Sequence, residues 1–154
     1  MKKYLLSDSQ SHMVPESAPE LISMTSATDF QGADLNIISH ARAGIKVGYL
    51  LELGEVLGLS QLDLCKILHI SLGTLQRYHS DLVLDADASS KVIQLTILRQ
   101  RGLIVFGNQS GFNHWLKAPM SSLEGKPPLD YLDTPFGFQL IFQILGRIEH
   151  GVFA

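Results

Sequence analysis

At 154 residues, 45% of them apolar and 18% charged, the chain is long enough for one sizeable core and too short to promise two large domains. Its formal net charge of −3 excludes the excess of Lys and Arg on which strong non-specific DNA binding rests, so any DNA contact must be local or doubled by a dimer. No apolar run approaches the roughly 18 residues of a membrane span, and Met1-Lys2-Lys3-Tyr4-Leu5-Leu6 passes at once into polar Ser7-Asp8-Ser9-Gln10, so neither a membrane protein nor a signal peptide is expected and the chain reads as cytoplasmic.

From Ser7 to Gly32 the sequence mixes Ser, Thr, Pro, Met and acids with no period of 2 or 3.6. Such composition has little apolar burial to offset ordering entropy, so residues 1–33 are expected to form a flexible arm and an entry point for proteolysis. From Asp34 the pattern turns helical: Leu35, Ile38 and Ala41 share a face, and Gly44 suits a helix end. A second helix fits Tyr49 to Leu57 and stops at Gly58.

Ser60 is a good N-cap for a helix carrying Leu64, Ile67 and Leu68 and closing near His69. Ser71 caps a further short helix, Leu72 to His79. Two short helices joined by a tight Ile70-Ser71 connection outline a helix-turn-helix over about 60–79, whose second helix offers its outer face to the major groove. Leu75 points inward, leaving Gly73, Thr74, Gln76, Arg77 and His79 outward.

The acids of Asp85-Ala86-Asp87 suit a helix N-terminus, and a long helix is predicted from about Ser90 to Phe106, with Val92, Leu95, Leu98, Val105 and Phe106 toward the core and Gly102 as a weak point. Ser110 is the expected cap of a short helix carrying Phe112, Trp115 and Leu116 and ended by Pro119. On pattern, Trp115 between apolar neighbours reads as core. A Ser/Gly/Pro loop from Met120 to Pro127 precedes a short helix from Pro128 to Leu132, and Thr134-Pro135 opens a last helix, Phe136 to His150, closed by Gly151. Phe138, Ile141, Leu145 and Ile148 form one stripe of that helix, while Leu140, Phe142 and Ile144 place apolar surface elsewhere. Such a helix is either central to its own fold or covered by another chain.

No catalytic constellation can be assembled. The histidines, His12, His40, His69, His79, His114 and His150, are scattered, with no pair at metal spacing, and the lone Cys65 excludes both an internal disulfide and a multi-cysteine zinc site. There is no phosphate-cradling glycine loop, and Glu149 and His150, about 100° apart on a helix, do not form an acid-base couple. No catalytic residue, metal or cofactor is expected, and the fold class is all-α.

The C-terminal third carries a resemblance. Trp115-Leu116-Lys117-Ala118-Pro119, Pro128-Leu129-Asp130-Tyr131-Leu132, Thr134, Gly137 and Leu145-Gly146-Arg147-Ile148-Glu149-His150-Gly151-Val152 together resemble the toxin-binding domain of the Xre/MbcA/ParS antitoxin family, in order and spacing as well as in letters. Gly58-Leu59-Ser60 and Ile70-Ser71-x-x-Thr74-Leu75-Gln76-Arg77 resemble that family's Xre-type helix-turn-helix. The resemblance implies a helical domain at 34–107 holding the helix-turn-helix and a toxin-binding domain at 108–154.

It also implies a partner toxin of the NAD-consuming RES class, dimers or larger assemblies with that toxin, and repression at operator DNA. Carried onto this chain, Trp115 joins the toxin-binding set, and Arg147, Glu149, His150, Gly151, Val152, Phe153 and Ala154 become the segment that closes the toxin's NAD-binding cleft. Ser71, Gly73, Thr74, Gln76 and Arg77 become the DNA-facing set. On pattern alone, Arg147 and His150 could equally well serve the carbonyl end of their own helix. The chain departs from many relatives at Leu72-Gly73, where they carry basic residues, so its reading helix offers fewer phosphate or guanine contacts. Two other readings stay open: an antitoxin whose helix-turn-helix serves only assembly, and a stand-alone regulator sensing a ligand through its C-terminal domain.

Overall fold

The computed structural model describes residues 35–151; the arm expected at 1–33, the start of the first helix at Asp34, and Val152, Phe153 and Ala154 lie outside the described residues. Within them the chain is all-α: α1 (Leu35–Ala43), α2 (Val47–Leu57), α3 (Gln61–Leu68), α4 (Leu72–Arg77), α5 (Ala86–Phe106), α6 (Gln109–Lys117) and α7 (Pro135–Glu149), with 3-10 turns at Ser121–Leu123 and Pro128–Tyr131. Isolated backbone bridges pair Lys46 with Val83 and Met120 with Lys126.

The caps explain the boundaries. Gly58 ends α2 in the left-handed conformation, and Ser60 and Asp63 form a reciprocal capping box at the start of α3, the Asp63 amide donating to Ser60 Oγ at 3.1 Å and the Ser60 amide to Asp63 Oδ2 at 2.9 Å. The helix-turn-helix outline is therefore present, but α4 is shorter than its sequence suggests. It stops at Arg77 because Tyr78 is extended (φ −72°, ψ 133°), which leaves His79 beyond the helix. The long helix begins four residues earlier than Ser90, since Asp85 caps it by accepting from the Ala88 amide at 2.8 Å. Asn108, rather than Ser110, caps α6, accepting from the Gly111 amide at 2.6 Å.

At 21 residues, α5 spans about 31 Å and is the spine of the fold: α1 packs along it, and α6 and α7 pack on its C-terminal half. Gly102 has a reason to be there. A β-carbon on it would fall 2.2 Å from the Phe112 ring, so glycine lets α6 approach α5. Beyond α4, the chain returns to the link between α1 and α2, where the Val47 amide donates to the Leu82 carbonyl and the Gly48 amide to Ser80, both at 2.8 Å. One continuous core results, with Leu50, Ile67, Leu95, Phe112, Leu132 and Phe138 almost fully enclosed.

Candidate functional site

The outer face of α4 is the first candidate. Leu75 is its one buried residue, as expected, while Ser71, Gly73, Gln76 and Arg77 are exposed and Thr74 is half-buried. Ser71 Oγ caps the helix by accepting from the Thr74 amide at 3.1 Å, and it lies 2.9 Å from the Thr74 hydroxyl. Both hydroxyls are thus engaged in holding the first turn. Arg77 lies back along the helix, its Nε donating to the Gly73 carbonyl at 3.1 Å, which leaves the terminal nitrogens of the guanidinium outward. Gln76 and Arg77 are the side chains best placed to reach a base edge.

The second candidate is α7. Gly137, Phe138, Ile141, Ile144 and Leu145 are buried, and Phe142 and Ile148 are half-buried against the core. The helix is thus not covered all round by its own fold: Phe136, Gln139, Leu140, Gln143 and Arg147 remain exposed, Phe136 at 83%. Arg147 has no hydrogen bond or ion pair among the described residues. Glu149 differs. It meets Arg101 Nη2 of α5 at 2.5 Å, so its carboxylate ties the end of α7 to the spine. His150 is exposed, and Gly151 at φ +72° turns the chain off the helix axis. Trp115 is half-buried in an aromatic cluster, 5.5 Å from Phe106 and 6.0 Å from Phe112 between ring centroids, with its indole Nε1 enclosed and unpartnered among the described residues.

Bonds between side chains and backbone join the two regions. Asn113 Nδ2 of α6 donates to the Val56 carbonyl at 2.8 Å, and Lys117 Nζ donates to the Gly58 carbonyl, both at the C-terminal end of α2. Across a groove of about 450 Å³ between α3 and the second 3-10 turn, His69 Nε2 donates to the Asp133 carbonyl at 2.6 Å. Sequence reasoning passed over Arg101 and His69. Arg101 lies 48 residues from its partner and leaves no local signal. His69 leaves only a faint one, a histidine where a helix closes with no glycine to end it; its left-handed φ of +55° is visible in the structure alone.

Comparison with known families decides what the two regions are. Residues 37–96 match the antitoxin Xre-like helix-turn-helix domain, and residues 101–151 match the antitoxin Xre/MbcA/ParS C-terminal toxin-binding domain. The chain belongs to the Xre/MbcA/ParS-type antitoxins. No curated protein matches it. The antitoxin is therefore the binding half of a toxin-antitoxin pair, with a toxin and DNA as the partners its two domains imply. The matches meet between residues 96 and 101, inside α5, so one unbroken helix belongs to both. Among the described residues no helix is long and apolar enough to cross a membrane, and no group of three or more His, Cys, Asp and Glu could hold a metal ion.

Proposed function

We propose that the antitoxin neutralises a RES-domain toxin by covering its NAD-binding cleft with the segment from Arg147 through Glu149, His150 and Gly151 to Val152, Phe153 and Ala154. The observation that carries this reading is Arg147. It is exposed and, among the described residues, unengaged at the end of α7, four residues before a left-handed glycine that releases the chain, inside the segment matching a toxin-binding domain. A guanidinium held there offers fixed donors to acidic or carbonyl-lined surroundings. Glu149 serves by anchoring the helix end to Arg101, and Trp115 by supporting α6 from within. NAD belongs to the toxin, and the antitoxin contributes no chemistry.

The same chain represses its own operon by presenting Ser71, Gly73, Thr74, Gln76 and Arg77 to operator DNA. With a net charge of −3 and one arginine on α4, a single copy gives few phosphate contacts, so operator binding takes place as a homodimer or as a larger assembly with toxin. An assembly-only helix-turn-helix is the second reading, favoured by the engagement of the Ser71 and Thr74 hydroxyls with each other.

Co-expression with the toxin encoded beside it tests the first claim, following cellular NAD and growth. Arg147→Glu and removal of Val152 to Ala154 both spare the Arg101–Glu149 pair. Loss of protection by these folded variants is the expected result; full protection by both would remove the tail from the mechanism. Titrating the operon's own upstream DNA at several salt concentrations tests the second claim, and salt-independent or absent binding would leave the helix-turn-helix as an assembly element.

A further inference from the structure

His69 ends α3 in the left-handed region (φ 55°, ψ 42°), a place that glycine or asparagine ordinarily takes because a β-carbon is unfavourable there. The histidine ring must therefore supply something that glycine would not. Its Nε2 donates to the Asp133 carbonyl at 2.6 Å across the groove lined by Asp63, Lys66, Ile67, Leu129 and Tyr131. A carbonyl only accepts, so Nε2 carries the hydrogen.

Both ends of this bond stand at the start of a functional helix. His69 precedes by two residues Ser71, the cap of α4, and Asp133 immediately precedes Thr134, the cap of α7. On the α7 side the segment is stiff: a β-carbon on Gly137 would lie 1.6 Å from the Tyr131 carbonyl oxygen, so residues 131–137 pack against one another with no slack. On the α4 side the helix is six residues long with Leu75 as its one buried residue, so its pose depends on how its ends are held. Tyr78 to Ser80 hold one end through the bond from the Gly48 amide to the Ser80 carbonyl. At the other, Ile70 and Leu72 pack against the core and the Ile70 amide donates to the Cys65 carbonyl at 3.1 Å, and the His69 ring adds a tie that reaches the start of α7.

We infer that His69 is a positioning residue: through Asp133 it sets the pose of the DNA-reading helix by the position of the start of α7, and so links operator reading to toxin occupancy. Linkage is reciprocal, so operator binding shifts toxin affinity by the same factor. The inference rests on the reading of α4 and α7 proposed above.

The test uses the full chain. His69→Gly keeps the left-handed backbone and removes the ring; His69→Gln returns an amide donor. In the free protein, amide hydrogen exchange of residues 70–78 and 134–138 should quicken together by roughly 2- to 10-fold in His69→Gly, as expected for loss of one solvent-accessible hydrogen bond, with partial recovery in His69→Gln. Quickening confined to 70–78, or none, overturns the inference. In a second arm, the change in operator Kd on adding toxin should fall toward one in His69→Gly, from a wild-type factor of roughly 5 to 150. An unchanged factor overturns it too. If wild-type chain binds neither operator nor toxin, the functional reading fails, while the exchange arm still decides whether His69 couples the two helices.

Discussion

Arg101 and Glu149 meet at 2.5 Å, with 25% and 31% of their side chains exposed, and they join the C-terminal part of the fold's spine to the last residue of its last helix. A pair this accessible contributes about 0.2–1 kcal/mol, so its importance lies in geometry. Glu149→Ala should lower Tm by only a few degrees while fraying residues 147–151 in amide exchange and weakening toxin neutralisation. The charge swap Arg101→Glu with Glu149→Arg separates positioning from contact. Restored neutralisation means that the carboxylate acts through α7; no restoration, in a swap that regains the wild-type Tm, means that Glu149 touches the toxin itself.

Two glycines on α7 make opposite forecasts. At Gly137 an added β-carbon would strike the Tyr131 carbonyl, whereas at Gly146 it would meet nothing within 4 Å among the described residues. Gly137→Ala forces backbone apart and should destabilise by about 1–3 kcal/mol or more. Gly146→Ala should instead stabilise by about 0.5–1 kcal/mol, by restricting the unfolded chain and improving helix propensity. Chemical denaturation of both variants checks the pair. Equal losses at the two positions would show that helix-end dynamics, not the Tyr131 contact, set the requirement for glycine.

These contrasts also show what sequence could convey. The Ser60, Ser71 and Thr134-Pro135 caps, the end of α2 at Gly58 and most of the buried stripe of α7 were legible because caps and helical periodicity are local. Ile144, expected on another face, is nevertheless buried with Phe138, Ile141 and Leu145, while Ile148 is only half-buried. Gly102 looked like a weak point because Phe112, the ring it makes room for, comes ten residues later on another helix. Ser110 reads as the cap because it is a capping type, but Asn108 two residues earlier is one too, and only the path of the backbone chooses between them. Tyr78 broke the helix one residue after Arg77 through the long-range bond that fixes Ser80, a tie invisible to propensity. Of the candidate sites, the residues of α4 and α7 are those that pattern and resemblance propose. Their couplings to Asp133 and Arg101 are not among them, being contacts 64 and 48 residues apart.

The buried bond between Tyr49 and Thr96, 2.9 Å between hydroxyl oxygens, links α2 to the spine. Burial raises the Tyr49 phenol above its ordinary 10.0, opposed by the bond to Thr96 and by Arg99. The folded state thus holds this proton more tightly than the unfolded chain. Its contribution is fully present below pH 10 and is lost as pH rises through the higher folded value. Stability measured from pH 8 to 11 should therefore fall at the alkaline end. Tyr49→Phe should remove that part of the fall while costing about 1 kcal/mol at neutral pH for the lost hydrogen bond. An alkaline limb that is identical in the variant would assign it to other groups.

The charge-poor reading helix makes the last prediction. Gly73 is exposed, adopts an ordinary helical φ, and would place a β-carbon 3.6 Å from Arg77 Nη2 and 3.9 Å from Ser71 Oγ, both normal contacts. A lysine fits there without moving the backbone and adds a cation beside Arg77 on the proposed DNA-facing side. If α4 lies in the groove, each added phosphate contact releases about one counterion. Gly73→Lys should therefore tighten operator binding and steepen the slope of log Kd against log salt by about 0.9 per copy bound. The gain should be largest at low salt and appear on non-operator DNA as well, because a phosphate contact carries no sequence information. Helix stability should also rise slightly as glycine leaves the helix interior. A stabilised variant whose salt slope matches the wild type would mean that the outer face of α4 does not approach phosphates, and would turn the search for the DNA contact toward α3 and its exposed Lys66.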